Sequence, residues 1–123
     1  MISESIALRD ATEADVEALH RLIVAIAEHH DQREYVFVTV EDLRRDGFGP
    51  EPKFGAVLAE VDGVLVGYAT YTWNHGIWLG STYMSVDDVY VSSSHRGLGI
   101  GEALMQRLQQ VCAGRGLHRM KWE

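Results

Sequence analysis

The sequence has one cysteine, Cys112, and two prolines in 123 residues. A lone cysteine excludes an intrachain disulfide and suits a reducing compartment. The scarcity of proline and the lack of any low-complexity run argue against a disordered chain. No stretch reaches the ~18 apolar residues needed to span a bilayer. The first residues lack the basic region and apolar run of a secretion signal. The expected location is cytoplasmic, with no membrane partner. Basic residues are also few, 11 against 18 acidic ones, for a net charge of −7. Nucleic-acid binding needs a basic surface to displace counterions, so no nucleic-acid partner is expected. A negative surface instead concentrates cationic small molecules.

What is present is enough for a core: 46% of residues are hydrophobic, and the length fits a single domain, 1–123. Residues 6–9 form a short apolar stretch that predicts a strand. Thr12 is a candidate helix cap, followed by acids that suit the positive helix end. Val16, Leu19, Leu22, Ile23 and Ile26 recur at helical spacing, which predicts a helix over 13–28. The Thr39–Glu41–Asp42 group repeats the cap and opens a short helix, expected to end near Gly47 in a left-handed conformation. Residues 54–61 and 64–72 are rich in β-formers around Asp62-Gly63, a strong hairpin signal. "NHGIWLGS" interrupts the pattern, and 83–91 predicts another strand. Ile100, Ala103, Leu104, Leu108, Val111 and Cys112 share a helical face, so Cys112 reads as core and not as a nucleophile. Gly114 and Gly116 mark that helix's end, and "LHRMKWE" starts a last strand. The expected class is α/β (α+β), with helices covering a sheet.

The stretch "SSSHRGLGIGEALM" stands between a strand and a helix. Main-chain N–H groups at a helix N-terminus lack internal partners and carry partial positive charge, so together they make an anion site. Glycines allow close approach and unusual dihedrals, and Arg96 adds a cation with a planar donor fork. Pyrophosphate binding by Gly97, Leu98, Gly99, Ile100 and Gly101 is the chemistry suggested; a plain glycine-rich turn is the alternative. The run is neither a phosphate loop ending in Lys-Ser/Thr nor a G-x-G-x-x-G fingerprint.

Arg96-Gly97-Leu98-Gly99-Ile100-Gly101 resembles the R/Q-x-x-G-x-G/A signature of the GNAT superfamily of N-acetyltransferases. "VDDVYV" resembles its fourth strand and "EALMQRLQQVC" its following helix. "EDLRRDGFG", "VLVGYATY", "IWLGSTYMSVDDVYV" and "HRGLGIG" are similar, in order, to the diamine (spermidine/spermine) N-acetyltransferases. The resemblance implies the GNAT fold, a central mixed, mostly antiparallel sheet flanked by helices. It implies acetyl-CoA as co-substrate, with its pyrophosphate on residues 97–101. Main-chain groups of Val89, Tyr90 and Val91 would line its pantetheine arm like an added strand. The domain is expected to be truncated after the fifth main strand. The last strands, the C-terminal helix and the family's general-acid tyrosine would then be missing.

Acetyl transfer to an amine needs a group that takes the amine's proton, directly or through water. Asp87 and Asp88 precede the loop, and successive strand residues face opposite sides. The resemblance selects Asp87 as general base, in place of a glutamate. Its shorter side chain favours a bridging water. Solvated strand-end acids are the alternative. Glu28, His30, Trp78 and Asp88 are the candidate acceptor-binding residues, with Trp78 packing an aliphatic stem or simply filling core. Gly76 replaces an acid of that family, which leaves the acceptor open among diamines, polyamines and lysine-like amines. His20, Glu28, His29 and His30 lack metal-ligand spacing, so no metal is expected. A homodimer is implied by the resemblance. The rival readings are a non-catalytic acyl-CoA-binding module and a protein N-terminal or lysine acetyltransferase of the same fold.

Overall fold

The computed structural model describes residues 6–122. They form two compact units, a helical one over Ala11–Lys53 and a sheet unit over 6–10 and 54–122.

In the helical unit the Thr12 N–H donates to the Asp15 carboxylate at 2.7 Å. This opens a 3-10 turn, Glu13–Asp15, that runs into α1, Val16–His29. The helix expected over 13–28 is therefore present, with a tighter first turn. α2, Val40–Phe48, starts on a reciprocal cap. The Thr39 N–H donates to the Asp42 carboxylate and the Asp42 N–H to the Thr39 hydroxyl, both at 3.0 Å. The Thr39 N–H holds the Asp42 carboxyl below the usual carboxylate range. Val16, Leu19, Ala27 and Leu43 are buried. α2 ends at Phe48, near Gly47 as expected, but the left-handed cap expected there is not formed. The helix continues through Gly47, and Gly49 is extended, with φ −81° and ψ −173°. The Lys53 N–H donates to the Asp46 carbonyl at 2.6 Å, so a returning chain satisfies that carbonyl without a left-handed residue.

The sheet unit has five strands in the order β1-β2-β3-β4-β5. They are Ile6–Asp10, Gly55–Val61, Val64–Gly76, Ser81–Val91 and Met120–Trp122. The first three pairings are antiparallel and β4–β5 is parallel, which is the mixed, mostly antiparallel sheet expected. Asp62 and Gly63 turn the β2–β3 hairpin, both with positive φ, the geometry that matches strand twist. "NHGIWLGS" does not end the pattern as expected. β3 runs on to Gly76, which pairs with Ser81, and the turn between them uses a positive φ at Gly80.

α3, Ile100–Gly114, lies on one face of this sheet. Ile100, Leu104, Leu108 and Cys112 repeat every fourth residue and are at most 2% exposed, so one stripe of the helix is buried. They pack with Val57, Ala59, Val66, Ala69, Met84 and Val86. Cys112 is core, as its place on that stripe predicts, and burial pushes its thiol pKa up. Among the described residues no helix is long and apolar enough to cross a membrane.

Candidate active site

The site begins where β4 departs from regular pairing. Thr70 pairs with Asp88, but Tyr71 pairs with Val86. Asp87 is therefore an extra residue, a β-bulge of the kind that re-aims side chains. The strict alternation that would send Asp87 and Asp88 to opposite faces is suspended at this point. That corrects the expectation of opposite faces; both residues are exposed, near the end of β4. Beyond the bulge alternation resumes. Val89 and Val91 pack against the α3 core, so Asp88 and Tyr90 take the other face, beside Thr70 and Tyr68 across the strand pair.

The electrostatics follow from that face. The sheet beneath Asp88 removes enough water from its carboxyl to raise its pKa, although the residue is exposed. The Tyr68 hydroxyl is pushed up by burial first and then by the charge of Asp88. The Tyr68 and Tyr90 rings lie 6.1 Å apart, and the Arg96 guanidinium stands 6.0 Å from the Tyr90 ring.

β4 also has a free edge. The Ser92 N–H donates to the Val66 carbonyl at 2.7 Å. Main-chain groups alternate along an antiparallel ladder, so Tyr90 and Asp88 also bond towards β3. The N–H and C=O groups of Val89 and Val91 then point to the opposite edge. Among the described residues β5 pairs along that edge only at Met84–Val86. The Val91 carbonyl there accepts from Arg96 Nε at 3.1 Å.

After β4, a 3-10 turn at Ser93–His95 leads to the glycine loop. Gly97 and Gly99 have φ of +81° and +80°, a region costly for any side chain but open to glycine. A Cβ at either would meet nothing within 4 Å. Backbone conformation therefore demands these glycines, while the space over the loop is open. Gly99 is the N-cap of α3, with no side-chain cap, in contrast to the Thr39 cap of α2. The first-turn amides of α3 keep the partial positive charge that suits an anion. These features fit a pyrophosphate group such as that of acetyl-CoA.

The remaining predicted acceptor residues are Glu28, His30 and Trp78. Glu28 is in the last turn of α1, and His30 follows it with its N–H on the Ile26 carbonyl; both belong to the helical unit. Trp78 is at the tip of the β3–β4 hairpin and 99% exposed, so it is not core. Asp87 stands six steps along β4 from Ser81, about 20 Å at the usual strand rise. The sequence reading missed Ser85, buried on β4 with no hydrogen-bond partner for its hydroxyl. A serine in a β-rich run gives no signal of burial.

A strand with an open edge, leading through left-handed glycines to an uncapped helix, presents main-chain N–H groups suited to an anionic group at the helix end. The chain belongs to the acetyltransferase (GNAT) family, whose model matches residues 16–123, and is an N-acetyltransferase of that family. It is 30% identical over 125 residues to a thialysine N-epsilon-acetyltransferase of Sus scrofa, covering 95% of this chain and 73% of that one. It is 33% identical over 111 residues to the spermidine/spermine N(1)-acetyltransferase-like protein 1 of Homo sapiens, covering 85% of this chain and 16% of that one. Among solved structures, a ribosomal-protein-alanine N-acetyltransferase from Brucella melitensis biovar Abortus 2308 superposes with a TM-score of 0.75 at 24% identity, over 97% of this chain and 79% of that one. An aminoglycoside N-acetyltransferase in complex with CoA superposes with a TM-score of 0.76 at 18% identity, over 99% and 78%.

Proposed function

We propose that the protein moves an acetyl group from acetyl-CoA to a primary amine of a small cationic acceptor, a diamine, polyamine or lysine-like amine. The observation that carries this reading is the juxtaposition on β4: two successive aspartates at a bulge, then an open strand edge, then the uncapped N-terminus of α3. The amides of Gly97, Leu98, Gly99, Ile100 and Gly101 hold the pyrophosphate. The main-chain groups of Val89 and Val91 bond the pantetheine arm along the free edge, with Tyr90 and Arg96 beside it. Asp87 takes the proton of the attacking amine and Asp88 attracts the acceptor's cationic group. The named activities of the thialysine and spermidine/spermine relatives support an amine of this kind, as does the acidic balance of the chain.

The reading includes a homodimer. Trp78, at the hairpin tip, is too far from the bulge to pack an amine held at Asp87 of its own chain, so its aromatic face would serve the site of a second copy. Glu28 and His30 remain candidate acceptor residues of the helical unit.

The test is calorimetric titration of acetyl-CoA, followed by acetylation assays with spermidine, a short diamine and thialysine. Asp87→Asn is expected to keep acetyl-CoA binding and lower kcat/KM for the amine by about 10²-fold or more. Acetyl-CoA binding without turnover of any amine would replace this reading with a non-catalytic acyl-CoA-binding module.

A further inference from the structure

The register of β5 fixes where its side chains lie. Met120 pairs with Met84, Lys121 with Ser85 and Trp122 with Val86. Met84, Val86 and Met120 pack under α3, so Ser85 and Lys121 take the opposite face of the sheet. That is also the face of Asp88 and Tyr90. Lys121 is exposed there. Its ammonium stands over the Tyr83 ring, 4.6 Å from the centroid, where the negative face of the ring attracts a cation. Among the described residues it forms no ion pair. The chain's other lysine, Lys53, has the Asp46 carboxylate at 4.0 Å. In a chain of net charge −7, Lys121 is a cation that no described carboxylate neutralises.

Its position relates that cation to the aspartates. Ser85, its partner across the strand pair, stands two residues before Asp87. One strand spacing across and two rises along place the backbone of Lys121 roughly 8 Å from that of Asp87. The flexible four-carbon stem swings the ammonium between Tyr83 and the bulge. A lysine-length acceptor whose reacting amine is held at Asp87 and Asp88 therefore has its far end within reach of Lys121. A second ammonium at that end meets a like charge. A carboxylate meets an ammonium without an ionic partner and forms a charge-assisted hydrogen bond with it. The candidate acceptors differ in this group: diamines and polyamines end in another ammonium, whereas a lysine-like amine carries a carboxylate.

We propose that Lys121 receives the carboxylate of a lysine-like acceptor and thereby selects amino acids of that kind over diamines. This rests on the acetyltransferase reading above and narrows its acceptor. Lys121 takes no part in the transfer itself. It holds the end of the acceptor remote from the reacting amine, and the Tyr83 ring holds the ammonium when no acceptor is bound. It is a specificity residue.

The experiment uses pairs of amines that differ only in the carboxylate: lysine with its decarboxylated diamine, and thialysine with its own. The ratio of kcat/KM within a pair is measured for the wild type, Lys121→Met and Lys121→Arg, with Lys121→Gln replacing the methionine variant should that one not fold. Such a ratio, taken on one preparation, does not depend on the fraction of protein that is folded. Acetyl-CoA affinity by calorimetry is expected to be unchanged in all. The wild type is expected to favour the amino acid about tenfold, as for a hydrogen bond between charged groups at an exposed site. Methionine keeps the stem without the charge and is expected to remove that preference, while arginine keeps it to within about threefold. Added salt is expected to narrow the ratio in the wild type and leave it unmoved in the methionine variant. A wild type that favours the diamines, or a ratio that is the same in the wild type and the methionine variant, would overturn the proposal and leave the acetyltransferase reading standing. A wild type that binds acetyl-CoA yet acetylates no amine overturns that reading, and the role of Lys121 with it.

Discussion

Arg96 Nε donates to the carbonyl oxygen of Val91 at 3.1 Å, which ties the glycine loop back to the end of the strand that precedes it. The bond joins the two surfaces expected to hold acetyl-CoA, the main-chain edge at Val89 and Val91 and the amides that open α3. Arg96→Ala is expected to leave the protein folded and weaken acetyl-CoA about tenfold, since both the tether and a cation near the pyrophosphate are lost. Arg96→Lys is expected to fall between, because lysine keeps the charge and loses the planar fork. Calorimetry at low and high salt separates the two effects, as salt screens only the charge. Equal affinity of all three proteins would exclude a role in binding.

Gly99 and Gly116 stand at opposite ends of α3, with φ of +80° and +73°. Both have open space where a Cβ would be. Alanine at either should therefore cost about the same, roughly 1–2 kcal/mol for forcing a side chain into the left-handed region. Only Gly99 opens the amide cradle. Gly99→Glu is expected to abolish acetyl-CoA binding by placing bulk and negative charge at the helix N-terminus, while Gly116→Ala leaves binding intact. Thermal unfolding and calorimetry on the two variants check this. Loss of binding in both would mean that the loop acts through stability alone.

Much of this was legible from the residues. Asp62-Gly63 marked its hairpin, the i, i+4 stripe from Ile100 to Cys112 marked α3 and its buried face, and the ordered glycines marked the loop. Gly47 misled as to the cap, because a main-chain hydrogen bond from Lys53 ends α2 without a left-handed residue. The long β3–β4 arm was hidden for a similar reason. Asn74, His75 and Gly76 are poor strand formers, and their pairing with residues 81–83 outweighs local preference. The bulge at Asp87 has no sequence signature. It depends on how ten rungs of a hairpin come into register, which is a property of two strands together.

Gly67 is the narrow point between β3, β4 and α3. A Cβ there would lie 2.7 Å from the Tyr90 carbonyl oxygen and 3.7 Å from Ile100 Cγ2. The first distance is inside contact range, and the atom approached is backbone, which cannot rotate away. Gly67→Ala should therefore push β4 from β3 beside Tyr90 and shift the start of α3. The expected outcome is a loss of about 1–3 kcal/mol in denaturant unfolding, as for overpacked sites, together with weaker acetyl-CoA binding. Unchanged stability would mean that the two strands adjust freely, and the site would then not depend on their close approach.

The raised pKa of Asp88 predicts how stability changes with pH. Its usual value is 3.8, and burial moves it upward in the folded chain. Between those two values the folded protein binds more protons than the unfolded one, so stability falls as pH rises through that window. Below the window the group contributes nothing to the difference, and above it the full cost of an ionised, partly desolvated carboxylate remains. Asp88→Asn removes that ionisation. Thermal midpoints of wild type and variant, measured from about pH 3 to about pH 8, should show the variant gaining on the wild type as pH rises and the gain levelling off above the window. A gap that stays constant across the range would show that Asp88 titrates alike in both states. A widening gap together with a higher KM for the amine would locate the cost of the partly desolvated charge in the group that draws the acceptor in.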